Sequence, residues 1–328
     1  MFEEWGLLGN ALILLASLLV LDRASDLAVD NAVKVADVTG LGKSTVGFVL
    51  IALVTTLPEL SVSVFAAISG EGERIGVAVG NVLGSNIVNI CLILGIGFLI
   101  ASLKSADRLK FVPLVTEEEV GTLYFGLFIA SIIPLSLVYI GYASRFIGVL
   151  LIAIFIFNIF QLSRTKRLKN ESSLGEHARL KRYAFFALLG VSVVVTCAYF
   201  IVDSATYIAL WFGIPHVVIG ATIVAFGTSL PELANTIKAS SKGHLSLALG
   251  NIVGSCFTNT TLILGAALVG SSLAVNMAAF TNLVVFSIIT NVLLWYFLTS
   301  ERIGWREGVM LVFMYLVFLF ASFGGYRT

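Results

Sequence analysis

Residues 51–59 read I-A-L-V-T-T-L-P-E, and residues 224–232 read V-A-F-G-T-S-L-P-E. Each is followed by one of a second pair of similar stretches, G-N-V-L-G-S-N-I-V-N at 80–89 and G-N-I-V-G-S-C-F-T-N at 250–259. All four lie in long apolar runs, where an unpaired carboxylate and a helix-breaking proline are both costly. Because the chain keeps both costly features at two equivalent places, the sequence predicts an internal repeat with a functional site inside the membrane.

The composition indicates a polytopic membrane protein. Of the 328 residues, 58% are hydrophobic and 12% are charged, whereas soluble domains average roughly 45–50% apolar and about 25% charged residues. The net charge of +1 provides no surface for nucleic acid. The three cysteines match neither a disulfide framework nor a metal-ligand spacing. The acidic N-terminus lacks the features of a signal peptide, so the first apolar run is predicted to be a retained span.

The apolar runs predict an all-α fold with about ten transmembrane helices, since each fits the ~20-residue length that a bilayer requires. The basic stretch at 163–182 is predicted to be a linker between a first repeat of five helices (1–162) and a second repeat of five (183–328). An odd number of helices per half inverts the second half in the membrane, so two inverted repeats are expected. The runs lie near 6–22, 44–69, 75–102, 120–140, 145–162, 183–203, 216–240, 245–271, 277–299 and 306–324.

The distribution of basic residues predicts the orientation. If the N-terminus is outside, all of the 20 lysines and arginines except Arg74, Arg145 and Arg327 fall on the cytoplasmic side. We therefore expect a plasma-membrane protein with both termini extracellular and the 163–182 linker in the cytoplasm. Charged and apolar residues alternate from 22 to 43, which predicts an extension of the first helix or an interfacial helix.

The repeated stretches supply oxygen ligands. Pro58 would free the backbone carbonyl of Val54, and Pro231 that of Gly227; inside a membrane such a carbonyl must face protein, water or a cation. No imidazole lies in these stretches, and their one thiol, Cys256, has no equivalent in the first half. Ligation by oxygen alone favours hard cations such as Ca²⁺, Na⁺ or Mg²⁺. The side chains that share a helix face with the glutamates, or recur at every fourth residue, are Thr55, Glu59, Thr228, Glu232, Asn81, Ser85, Asn89, Asn251, Ser255 and Asn259.

These four stretches resemble the two α-repeats of the Ca²⁺/cation antiporter superfamily, most closely those of its Na⁺/Ca²⁺ exchanger branch, and the ten-span layout agrees over essentially the whole chain. The first repeat departs from the family pattern at Val54, where glycine is usual. Asparagine also stands at positions 89 and 259, where relatives often carry aspartate, which argues against K⁺ dependence. The resemblance implies Glu59 and Glu232 as central Ca²⁺ ligands beside Thr55 and Thr228, with Thr56, Ser229, Ser85, Ser255 and the carbonyls of Ala52 and Ala225 at Na⁺ positions. Asn89 and Asn259 complete the predicted metal-ligand set.

Several alternatives stay open at this point. The proton-coupled branch of the superfamily is the nearest rival, because two carboxylates exchanging two protons for one Ca²⁺ are chemically sufficient. A cation channel would use similar oxygen ligands, and an intramembrane enzyme would need one raised and one lowered carboxyl pKa. Each glutamate could also be a structural carboxylate paired within its own half. The expected protein is a transporter and not an enzyme, with Ca²⁺, a monovalent counter-ion and the lipid bilayer as partners, and with no cofactor.

Overall fold

The computed structural model of the protein describes residues 3–39, 56–69, 72–104, 109–110, 117–140, 144–165, 177–243, 245–270, 277–299 and 302–324, and nearly all of these residues are helical. The α-helices are α1 (Gly6–Thr39), α2 (Leu57–Ile68), α3 (Gly72–Ile87), α4 (Gly95–Lys104), α5 (Glu117–Ile140), α6 (Arg145–Thr165), α7 (His177–Phe212), α8 (His216–Ile219), α9 (Ala225–Thr228), α10 (Leu230–Ser241), α11 (Leu245–Thr258), α12 (Leu264–Gly270), α13 (Met277–Thr299) and α14 (Trp305–Gly324). Two-residue strands, β1 (Leu109–Lys110) and β2 (Arg302–Ile303), pair antiparallel, a small departure from the all-α prediction.

Within these residues, six helices are long and apolar enough to cross a bilayer, and a seventh span is added if the bent pair 216–228 and 230–241 counts as one. Three shorter apolar helices accompany them, namely Leu57–Ile68, Phe125–Leu137 and Arg145–Phe160. The structure therefore shows a polytopic helical membrane protein.

Two helices extend well beyond the predicted runs. The first helix continues without interruption to Thr39, which confirms the predicted extension beyond residue 22, and α7 covers 36 residues instead of the predicted 183–203. At 1.5 Å per residue, α7 is about 54 Å long, which exceeds the ~30 Å hydrocarbon layer. Both helices therefore project beyond the hydrocarbon region.

A helix begins at each of the two T/S-L-P-E stretches, and at the second stretch it follows another helix directly. Thr56 (φ −89°, ψ 7°) and Ser229 (φ −88°, ψ 11°) adopt almost the same non-helical conformation, and each precedes a 12-residue helix that carries proline in its first turn. The helices on either side of Ser229 are bent by 48°. Proline fits there because it lacks the backbone donor that a first turn leaves unused.

A second local irregularity recurs next to the asparagines at the ends of the G-N stretches. The chain is π-helical over Val88–Leu94 and over Asn259–Ile263. A third π-helical turn, Gly220–Val224, lies just before the break at Ser229. Such turns disturb the regular backbone ladder and are frequent at functional sites.

The apolar interior consists of two clusters. The larger joins α3 to α6 with the segment 217–225 and with α11 to α14. The smaller contains residues of α1 and α7 together with neighbours from α2, α3 and the segment 219–224. Helices α1 and α7 pack closely along each other, and a Cβ at Gly190 would lie only 2.7 Å from the backbone nitrogen of Ala28. The α1–α7 pair thus forms a unit beside the rest of the bundle.

Glycine contacts join the two halves of the chain at matching places. A Cβ at Gly308 would lie 2.8 Å from the Gly95 carbonyl oxygen, and one at Gly265 would lie 2.9 Å from the Gly148 carbonyl oxygen. Gly95 and Gly265 occupy equivalent positions after the two G-N stretches. Because each half contributes helices to the packing of the other, the two halves form a single interleaved bundle.

One buried ion pair links the α1–α7 unit to the rest of the bundle. Arg74, near the start of α3, donates from Nη2 to Oδ1 of Asp203 in α7 at 2.9 Å. The Asp203 side chain is only 9% exposed, and the arginine supplies the counter-charge that a buried carboxylate requires.

Candidate cation-binding site

Glu59 and Glu232 are the third residues of helices α2 and α10. Their exposed fractions are 1% and 0%. The positive end of a helix dipole favours a negative charge in its first turn, which helps to explain how each carboxylate is accommodated at this depth. The two glutamates also repel each other electrostatically, so the site favours a cation between them.

Hydroxyl groups contact both carboxylates. Ser229, from the second half of the chain, donates from Oγ to Glu59 Oε1 at 3.0 Å. Within the second half, Ser255 donates to Glu232 Oε1 at 3.4 Å. The Ser229–Glu59 bond shows that the polar groups around Glu59 come from both halves of the chain.

The T-L-P-E and S-L-P-E stretches match a capping-box sequence, in which the hydroxyl and the glutamate cap the start of the helix. In the structure neither Thr56 nor Ser229 makes a side-chain cap. The backbone amide of Ser229 instead donates to the Ala225 carbonyl at 3.1 Å. The glutamates and the Ser229 hydroxyl are thereby left for contacts across the site.

Asn81 connects the helix of Glu59 to Thr228 in the second half of the chain. Its Nδ2 donates to the backbone carbonyl of Glu59 and to Oγ of Ser63, both at 3.4 Å. Its Oδ1 accepts from Thr228 Oγ1 at 3.0 Å. Thr228, a predicted ligand, also lies 3.3 Å from the Ala225 carbonyl oxygen, so Thr228 and Ala225 are held in one network with Asn81.

Several buried oxygens keep acceptor capacity. Within the described residues, Glu59 Oε2, Ser85 Oγ and both amide atoms of Asn89 make no hydrogen bond. None of the salt bridges in this part of the chain involves Glu59. Buried oxygens without partners are costly, and a bound cation would satisfy them. The same part of the chain contains no cluster of three or more His, Cys, Asp or Glu residues that could hold a metal ion.

Most of the predicted ligands lie within the described residues. Thr55 and Ala52, and also Val54 with its predicted free carbonyl, lie outside the described residues. The described members are all buried, and they are Glu59, Glu232, Thr56, Thr228, Ser229, Ser85, Ser255, Asn89, Asn259 and Ala225. Sequence reasoning missed Asn86, which is fully buried and bonded to Asn259. Its counterpart in the second repeat is Cys256, so a search for matching residues passes over it.

Glu59 and Glu232 are buried, each lies in the first turn of a helix that carries proline, and each accepts from a serine hydroxyl. Such groups in a helical membrane bundle indicate a cation-transport protein. The sodium/calcium exchanger protein family matches the chain over residues 9–163 and 182–324. The chain therefore belongs to that family.

Individual proteins that are similar to this chain support the family assignment. The sodium/calcium exchanger MaX1 of Methanosarcina acetivorans is 33% identical, over 96% of this chain and 98% of its own length. The solved structure of the sodium-calcium exchanger NCX_Mj, soaked with Na⁺ and Sr²⁺, is 25% identical and superposes with a TM-score of 0.65 over 95% of this chain and 98% of its own. The H⁺/Ca²⁺ exchanger CAX has a TM-score of 0.77 over 96% of this chain and 87% of its own, and at 18% identity it shows a shared fold alone.

Ser229→Ala tests the contact between the halves. The substitution removes the hydroxyl that donates to Glu59 and helps to orient its carboxylate. Loss of a group that orients a metal ligand typically lowers affinity by about 10–100-fold, so we expect the Ca²⁺ concentration for half-maximal uptake to rise about tenfold.

The matched control is Ser136→Ala, because the Ser136 hydroxyl is exposed and bonds only within its own helix. Uptake into proteoliposomes measures both variants. Equal half-maximal concentrations for the two would show that the Ser229 hydroxyl takes no part in binding.

Proposed function

We propose that this protein is a secondary active antiporter that exchanges Ca²⁺ for Na⁺ across the plasma membrane. The observation that carries the proposal is the pair of buried carboxylates, Glu59 and Glu232, with Ser229 donating to the first and Ser255 to the second. The similarity to exchangers such as MaX1 and NCX_Mj supports the same activity.

The charges of the site account for an exchange. Two ionised glutamates balance one Ca²⁺, and they balance monovalent ions in its place. An empty site leaves two buried negative charges facing each other, which is costly in a low dielectric. The protein would therefore change its access from one side of the membrane to the other only when one cargo or the other neutralises the carboxylates. That requirement couples the two ion flows.

The architecture that we propose has about ten spans in two inverted repeats, 1–162 and 183–328, joined by a cytoplasmic linker at 163–182 and with both termini extracellular. The matching backbone conformations of Thr56 and Ser229 and the paired glycine contacts support this repeat. Alternating access around a site fixed between two repeats is the expected mechanism of such transporters.

The α1–α7 pair is the proposed moving unit. It packs on the rest of the bundle mainly through its own apolar cluster and carries none of the proposed ligands. Sliding of this unit would require the Arg74–Asp203 ion pair to rearrange.

Coupling to Na⁺ is favoured over coupling to H⁺ by the T-S-L-P-E and G-S-N-I-V-N sequences, whereas the fold shared with CAX fits either. We expect radiolabelled Ca²⁺ uptake into proteoliposomes when an outward Na⁺ gradient drives it. We expect no uptake above the blank when only an outward H⁺ gradient is present. The blank is the Glu59→Gln, Glu232→Gln double variant.

The other outcomes separate the alternatives. Uptake with the H⁺ gradient alone would assign the protein to proton-coupled exchange. Uptake that needs no counter-ion and does not saturate would indicate a channel. A protein that shows no uptake above the blank under either gradient would not be a Ca²⁺ exchanger.

A further inference from the structure

A chain of hydrogen bonds crosses from α3 to the π-helical turn at 259–263. Asn259 Nδ2 lies 3.1 Å from Asn86 Oδ1, and Asn86 Nδ2 lies 3.1 Å from Thr260 Oγ1. Thr260 Oγ1 in turn lies 2.6 Å from the carbonyl oxygen of Cys256. All four residues are buried, with exposed fractions of 0%.

The direction of this chain follows from its last link. A carbonyl oxygen only accepts, so the Thr260 hydroxyl must donate its single proton to Cys256. Toward Asn86 the same hydroxyl then acts as an acceptor, which requires the Asn86 amide nitrogen to face it. The Asn86 oxygen consequently faces Asn259 and accepts from the Asn259 amide nitrogen. The orientations of both amide groups are thus determined by one threonine hydroxyl.

This arrangement turns the side-chain oxygen of Asn259 away from Asn86. Asn259 Oδ1 is buried and accepts no hydrogen bond within the described residues. Asn259 lies one helical turn beyond Ser255, on the helix face from which Ser255 donates to Glu232. The atom left without a partner is therefore an oxygen, the kind of ligand that a hard cation prefers.

The other half lacks this chain. Cys256 stands at the position equivalent to Asn86, and Ile90 at the position equivalent to Thr260. Within the described residues, neither amide atom of Asn89, the counterpart of Asn259, bonds to another amide or hydroxyl group, and its neighbour is the Cys256 thiol, a weak hydrogen-bonding group. The two asparagines are thus equivalent in sequence position but not in environment.

We propose that Asn86 is a positioning residue that holds Asn259 with its oxygen toward the transported cation. Asn259 is then a preorganised ligand, whereas Asn89 is not. This inference rests on the proposed exchange of Ca²⁺. It assigns to Asn86 a role through another side chain, without contact to the ion.

The first test compares two neighbouring threonines. Thr260→Val removes the hydroxyl that orients Asn86, while Thr261→Val removes a hydroxyl that donates to the Phe257 carbonyl at the same distance of 2.6 Å. Loss of a group that orients a metal ligand typically lowers affinity by about 10–100-fold. We expect the half-maximal Ca²⁺ concentration to rise about tenfold for Thr260→Val, with maximal uptake retained, and to stay near wild type for Thr261→Val. Equal effects of both variants would overturn the proposal.

A double-mutant cycle supplies the second test. If Asn86 acts through Asn259, the Asn86→Leu, Asn259→Ala double variant should bind Ca²⁺ no more weakly than Asn259→Ala alone. A cycle of Asn86→Leu with Asn89→Ala should instead be additive. Additive effects in the first cycle would show that Asn86 does not act through Asn259.

The melting temperature of the same variants without ions separates this inference from the proposed function. If the shifts in melting temperature of Asn86→Leu and Asn259→Ala do not add in the double variant, the bond between the two side chains exists, whichever ion is transported. Additive shifts would show that it does not. A wild-type protein that neither takes up Ca²⁺ nor is stabilised by it would overturn the exchange proposal, and with it the role of Asn259 as a Ca²⁺ ligand.

Discussion

Replacement of either Glu59 or Glu232 by glutamine is expected to weaken Ca²⁺ binding at least 100-fold and to abolish uptake. Two unit charges 4 Å apart interact by about 4 kcal/mol at an effective dielectric constant of ~20, and a tenfold change in affinity requires only about 1.4 kcal/mol. A divalent ion loses half of its counter-charge when one carboxylate becomes an amide. Isothermal titration of the purified protein with Ca²⁺ measures the loss, and uptake into proteoliposomes measures its consequence.

Thermal unfolding distinguishes a ligand from a structural carboxylate. Glu59 is buried beside a second glutamate, and none of the salt bridges in the described part of the chain involves it. Without ions, Glu59→Gln should therefore leave the melting temperature unchanged or raise it, because it removes a buried charge. The stabilisation by Ca²⁺, however, should disappear. The control is Asp30→Asn, which neutralises an exposed carboxylate of α1 and should alter neither quantity.

The opposite pattern would contradict the proposed role. If Glu59→Gln lowered the ion-free melting temperature while Ca²⁺ affinity stayed within about threefold of wild type, well short of the tenfold step that about 1.4 kcal/mol produces, the carboxylate would be structural. A variant that retained binding but lost turnover would revive the enzyme interpretation. Comparison of the two glutamates adds a further criterion, since an exchanger site requires a similar loss of Ca²⁺ affinity from Glu59→Gln and from Glu232→Gln.

The helical membrane fold could be predicted from the sequence because apolar runs and their breakers report directly on membrane insertion, while the count of ten spans stays a prediction. Their ends were predicted less well. The helix that was expected to end at 203 continues to Phe212, where Gly213 adopts a positive φ of 62° and Pro215 follows. Glycine just after a helix with proline shortly beyond it is a recognised stop signal, so hydropathy alone was the weaker guide. In α1 the charged residues beyond Asp22 did not end the helix, because it extends past the hydrocarbon layer.

The polar site was predicted from the repeated stretches of sequence, and such a repeat predicts which residues are equivalent but not which contacts they make. Repetition identifies Glu59 with Glu232 and Ser85 with Ser255, but it assumes that equivalent residues have equivalent partners. In the structure Ser255 donates to Glu232, whereas Ser85 Oγ makes no hydrogen bond within the described residues. Contacts such as these depend on how the two halves meet, a property of tertiary packing that sequence spacing does not encode.

The close crossing of α3 with the segment 217–221 predicts a large loss of stability when a glycine at the contact is replaced. A Cβ added at Gly80 would overlap the backbone of Val217, and one at Gly84 would overlap the backbone of Ala221. Gly220 is in the same position relative to Val77. Small residues permit such close backbone approach. We expect Gly80→Ala or Gly84→Ala to destabilise the protein by about 3 kcal/mol, the upper end of the usual cost of overpacking, because a backbone has no rotamer through which it can yield.

The same crossing holds the site together, so the substitution should also reduce transport. Gly80 is followed directly by Asn81, whose Oδ1 accepts from Thr228 in the other half at 3.0 Å. Helices forced apart by even one ångström would break that bond and move the first glutamate relative to the second. Melting temperature and Ca²⁺ uptake should therefore fall together in Gly80→Ala, while a defect of packing remote from the site would lower the first alone.

Gly250→Ala is the matched control, because Gly250 occupies the position equivalent to Gly80 and an added Cβ there has no atom within 4 Å. In the interior of α11 alanine is favoured over glycine by about 1 kcal/mol, so this variant should be as stable as wild type or slightly more stable. A melting temperature of Gly80→Ala equal to that of Gly250→Ala would show that α3 and the segment 217–221 do not cross in contact. The path from Asn81 to Thr228 would then lose its structural basis, since the bond requires the two backbones to approach this closely.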